Sequence, residues 1–133
     1  MNKKSSTILI ISSLCGFFGV VLGAFGAHAL HDRLVEANML RVWETAVDYQ
    51  LFHTLALGIV AVLAMLWPKK AIYTSIAFLW GFGILFFSGS LYWLALGGPK
   101  WLGPITPIGG LLLILGWLLL GVLGVIGLKS RPE

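Results

Sequence analysis

The chain reads as an all-α membrane protein, with four transmembrane helices in a compact bundle and an amphipathic helical segment between the first and second spans. Three observations predict this. Of 133 residues, 59% are hydrophobic and 11% charged, whereas roughly a quarter of residues carry charge in soluble domains. Apolar runs long enough to cross hydrocarbon, which takes about 20 helical residues, recur along the chain. Only one extended polar stretch interrupts them. A single domain of this length cannot hide so much apolar surface from water, so its solvent is lipid.

The elements follow in order, as one membrane domain over residues 1–133. Residues 1–6 form a short head carrying Lys3 and Lys4, and an uncharged run at 7–30 gives the first span. Lys3-Lys4 resembles the basic start of a signal peptide, and Ala27-His28-Ala29 its cleavage site. The apolar run is longer than the usual 7–15 or so residues of such a leader, so the span is expected to stay attached. Cys15 lies inside it without an internal partner and reads as a buried, inert thiol. Gly16, Gly19, Gly23 and Gly26 share a helix face, which lets another backbone approach closely in lipid. We read this face first as a contact within the chain, with a homodimer contact as the alternative.

Residues 31–50 are the amphipathic segment. On a helical wheel Arg33, Arg41, Glu44 and Asp48 fall on one side, and Val35, Met39, Val42, Trp43 and Ala46 on the other. Arg33–Glu36 and Arg41–Glu44 are spaced for i, i+3 ion pairs. Lying at the headgroups, such a helix would place Trp43 at the boundary. Lying in water, it would extend the second span. Periodicity alone leaves both open.

The second span is expected at 51–67, followed by a basic turn, Pro68-Lys69-Lys70. The third, at 71–96, carries a small-residue face of Thr74, Ala77, Gly81, Ser88 and Ala95. Prolines and glycines break the chain from 97 to 105. The fourth span, at 107–128, opens on Thr106 as N-cap and Pro107 in the first helical position. Gly109, Gly116, Gly124 and Gly127 line one side of it.

With four spans both termini lie on one side. That side collects Lys3, Lys4, Lys69, Lys70, Lys129 and Arg131, and the other side Arg33, Arg41 and Lys100. The positive-inside rule then places both termini in the cytoplasm. The basic residues punctuate the ends of apolar runs rather than forming a stripe with stacking aromatics, so the net charge of +4 does not indicate nucleic acid. The bilayer is the expected partner, with a second copy or another membrane protein as further candidates.

This topology gathers His28, Tyr49, Gln50, His53, Ser88, Ser90, Tyr92 and Thr106 in the non-cytoplasmic half, roofed by the polar segment and the 97–105 connection. Three meanings compete. Polar groups in lipid hydrogen-bond between helices and fix their register. They also line proton or small-solute paths, and histidine changes charge near neutral pH. Third, His28, His31 and Asp32 form a weak metal candidate, at the wrong spacing for a helical HExxH and without paired cysteines. No nucleophile–base pair, phosphate loop or dinucleotide fingerprint is present, because the glycines sit inside apolar helices rather than after strands. No enzyme activity and no cofactor are expected.

Four blocks carry a family resemblance. They are Gly23-Ala24-Phe25-Gly26-Ala27-His28-Ala29-Leu30, Trp43-Glu44-Thr45-Ala46-Val47-Asp48-Tyr49-Gln50 with His53, Phe87-Ser88-Gly89-Ser90-Leu91-Tyr92, and Ile105-Thr106-Pro107-Ile108-Gly109-Gly110. In this order they resemble the YgdD/YwdK-like family of small bacterial inner-membrane proteins of unknown function, related to transmembrane protein 256. The resemblance implies a multi-pass plasma-membrane protein with an uncleaved first span. It supplies no reaction, substrate or cofactor.

Overall fold

The computed structural model describes residues 2–67 and 71–129. Among these there are five α-helices and one 3-10 turn, and no strand. The helices are α1 (Lys3–Ala27), α2 (His31–Glu36), α3 (Leu40–Leu66), α4 (Ile72–Ala95) and α5 (Ile105–Lys129). All but α2 are long and apolar enough to span a bilayer. The expected Pro68-Lys69-Lys70 turn lies outside the described residues, as does the tail beyond Lys129.

The spans pack in chain order, α1 on α3, α3 on α4 and α4 on α5. The middle pair, α3 and α4, is therefore the more buried and the outer two the more lipid-facing. Between α3 and α4 the core is aliphatic and aromatic, with Leu57, Val60, Ile76 and Trp80 wholly buried.

The α1–α3 seam explains the first glycine face. Residues Gly16, Gly19, Gly23 and Gly26 look in turn at Thr54, Leu51, Val47 and Trp43, stepping antiparallel along α3. The contact is within the chain. Trp43 is buried over Gly26 and donates its indole N–H to the Leu22 carbonyl at 3.0 Å. Burying this indole leaves its N–H needing an acceptor, and a close glycine face exposes one.

The polar segment differs from one continuous helix. Asn38 adopts a left-handed φ of 55°, which asparagine tolerates better than most residues. The Met39 N–H then returns to the Leu34 carbonyl at 2.8 Å and closes α2 as a Schellman turn. Residues 40–50 continue into the second span as a single rod. The Arg41–Glu44 pair forms at 3.3 Å, on the surface. Arg33 does not reach Glu36. It donates to the Leu96 carbonyl at 3.1 Å, past the end of α4, where helix carbonyls lack partners and cations are favoured. This bond docks α2 onto α4.

The connection into α5 turns at Gly97, whose φ of +91° suits only glycine, and passes through the turn Lys100–Leu102. Helix α5 begins at Ile105, two residues ahead of the expected first helical position at Pro107. Pro107 still falls in the first turn, where its missing N–H costs nothing.

Candidate functional site

The sequence-predicted residues resolve into three interhelical links. In the first, Tyr92 on α4 donates its hydroxyl to Gln50 Oε1 on α3 at 2.9 Å, and Gln50 Nε2 donates to the Cys15 carbonyl on α1 at 2.8 Å. One amide thus ties three helices together. The Tyr92 ring also meets Trp43 edge-on, with centroids 4.8 Å apart.

The second link centres on His53, which is buried. Its Nδ1 lies 2.8 Å from the Tyr49 carbonyl, and its Nε2 lies 3.0 Å from the indole Nε1 of Trp117 on α5. A carbonyl only accepts and an indole N–H only donates. The ring is therefore held neutral, with its proton on Nδ1. Protonating Nε2 would set donor against donor. Around it the Tyr49 and Phe87 rings lie 4.5 Å apart and the Trp80 and Trp117 rings 4.8 Å apart.

The third link joins α4 to α5. Ser90 Oγ donates to the Phe87 carbonyl at 3.0 Å and lies 2.7 Å from Thr106 Oγ1. Because the Ser90 proton is spent on Phe87, Thr106 is the donor between the two hydroxyls. The Thr106 side chain thus serves a bond between helices, where the sequence suggested a helix cap. Ser88 is buried, and its Oγ makes no hydrogen bond.

His28 is not drawn into these links. It stands exposed at the C-cap of α1. Exposed His31 contacts its neighbour Asp32 at 3.3 Å. Among the described residues no group of three or more His, Cys, Asp or Glu side chains could hold a metal.

Several polar contacts escaped sequence reasoning. Ser12 donates to the Thr54 carbonyl at 2.9 Å, Asn2 Nδ2 to the Ala64 carbonyl at 2.9 Å, and Trp80 to the Leu113 carbonyl at 3.1 Å. The signal for the tryptophans was available. An indole in the middle of an apolar helix must find an acceptor, and it finds one where a facing glycine removes the side chain above the backbone. Trp80 lies over Gly116 as Trp43 lies over Gly26.

The comparisons agree with this architecture. Residues 22–110 match the family model described as "Protein of unknown function (DUF423)". A UPF0382 membrane protein of Staphylococcus haemolyticus is 47% identical over 117 residues, covering 84% of this chain and 89% of the relative. The UPF0382 membrane protein YwdK of Bacillus subtilis is 38% identical, covering 88% of this chain and 94% of the relative. The UPF0382 inner membrane protein YgdD of Escherichia coli is 39% identical, covering 96% and 95%. No solved structure matches. The family model covers most of the chain and these relatives nearly all of it, and the four apolar helices agree with their names. The chain belongs to the DUF423 family of multi-pass membrane proteins, whose molecular function is unknown.

Proposed function

We propose that this protein is a non-enzymatic inner-membrane factor that acts through helix packing and association with other membrane components. One observation carries the reading. The hydrogen-bonding groups of Gln50, His53, Ser90, Tyr92 and Thr106 are spent across helix boundaries or on nearby backbone. Groups so paired fix the register of a bundle and are poorly placed to hand protons or solutes along. Both termini lie in the cytoplasm on this reading, supported by the lysines at the end of the bundle opposite α2.

Gln50→Leu removes two interhelical bonds and is expected to destabilise the bundle by about 1–2 kcal/mol, in the upper range for such bonds in lipid. Tyr92→Phe removes one of the same bonds, so the double variant should lose less than the sum of the singles. Thermal melts of purified protein in detergent measure both. Proteoliposomes holding an imposed pH gradient give the opposing test. Wild-type protein should leave the gradient decaying as in protein-free liposomes. Faster decay that disappears in a folded Gln50→Leu variant would replace this reading with transport.

A further inference from the structure

Helices α1 and α4 are separated by one antiparallel rod, α3, and therefore run parallel. Both start at the end of the bundle opposite α2. Between them a groove of about 370 Å³ opens beside Lys3 and Lys4, lined by Thr7, Ile8, Thr74 and Phe78. Through Ile11, Ala77 and Phe78 it continues into a second groove of about 470 Å³, which reaches Leu22 and Tyr92. The channel is mostly apolar, with charge only at its lysine end and Gln50 and Tyr92, bonded to each other, at the far end.

The groove is built open. On its α4 wall Gly81 and Gly89 have nothing within 4 Å of where a Cβ would stand. Its basic end is held in place. Asn2 caps α1 by accepting from the Ser5 N–H at 2.9 Å, and its Nδ2 ties that cap to the Ala64 carbonyl on α3. Lys3 and Lys4 thus project from a fixed first turn. The first turns of α1 and α4 bring two helix-dipole positive ends to the same level, and Ala71 offers α4 no side-chain cap. Neither helix contains an Asp or Glu.

We propose that this groove is a binding site for one anionic phospholipid, with its phosphate at Lys3 and Lys4 and an acyl chain laid along α4 past Gly81. Positive charge at one end of a largely apolar cleft, whose only polar pair at the other end is already hydrogen-bonded to itself, matches an amphiphile of opposite headgroup charge. At 1.5 Å per residue Gly81 lies roughly 13 Å from the start of α4, within the leaflet that holds the headgroup. A second copy of the chain is a poorer occupant. Two such grooves facing across a two-fold axis normal to the membrane would bring four lysines together at one depth. The site goes beyond the packing role proposed above and stands without it.

Native mass spectrometry of the full chain in neutral detergent tests it, with dioleoyl phosphatidylglycerol or dioleoyl phosphatidylcholine added. The wild type should retain one phosphatidylglycerol about tenfold more readily than phosphatidylcholine, and Lys3→Gln with Lys4→Gln should abolish the preference. Gly81→Leu should lower retention of either lipid at least fivefold, because its side chain fills the groove. Gly121→Leu on α5, equally uncrowded, should leave retention unchanged, and unaltered melts of both glycine variants would show that the fold is intact. Equal retention of the two lipids by the wild type would overturn the proposal. So would a preference that survives loss of both lysines, identical behaviour of the two glycine variants, or a wild-type dimer that Gly81→Leu converts to monomer.

Discussion

Gly109→Ala is expected to force α4 and α5 apart and to lower the melting midpoint in detergent more than a methyl group added at any lipid-facing glycine. A Cβ at this position would meet the backbone N of Phe87, with Phe86 C and Phe87 Cα at 2.8 Å. A crowded side chain can rotate away, but helix backbone cannot. The only relief is to widen the crossing, which also loosens the Ser90–Thr106 hydroxyl contact one turn away. Overpacking costs about 1–3 kcal/mol where side chains can yield, and here the upper end or more is expected. Gly121→Ala is the matched control. Nothing lies within 4 Å of its Cβ, and exchanging glycine for alanine in a helix interior stabilises it by about 1 kcal/mol. A Gly109→Ala midpoint equal to that of Gly121→Ala would mean that α4 and α5 do not cross here.

The second large effect is expected from Trp80→Ala. Trp80 is completely buried, donates to the Leu113 carbonyl, and packs its ring against Trp117. In water such a truncation costs about 3–5 kcal/mol, part of it the lost transfer of apolar surface. In lipid that part vanishes, because a separated helix exchanges one apolar medium for another. What is lost is dispersion contact and one hydrogen bond, and about 3 kcal/mol is expected. Trp80→Phe should retain most of the packing and cost less than half as much. Trp93→Ala, at an exposed position, should cost almost nothing. Melts of the three variants in one detergent give the ranking, and an undiminished midpoint for Trp80→Ala would contradict its central place.

The spans were legible in the sequence because hydrocarbon imposes one simple demand, a long run without charge. The glycine face of α1 was legible for a related reason, since small residues at helical spacing mark close approach. Its partner was not, and only the structure pairs Gly26 with Trp43. The break at Asn38 was missed because a left-handed asparagine leaves no trace in hydrophobic periodicity. Within the polar residues, topology sufficed to bring Gln50 to Tyr92 and Ser90 to Thr106. It did not foresee Trp117 as the donor to His53, because an indole was counted as apolar surface. His28 was drawn in on sequence position alone, and it stands exposed at the end of α1.

The layout of the rods bears on how the chain is made. Helix α1 is synthesised before its docking partner α3, with the whole polar segment between them. Its strongly apolar sequence suits it to lipid without that partner, and α5, at the other edge of the bundle, is more apolar still. The inner two rods are less greasy and gain neighbours on both flanks, so they depend on company that the outer two can do without.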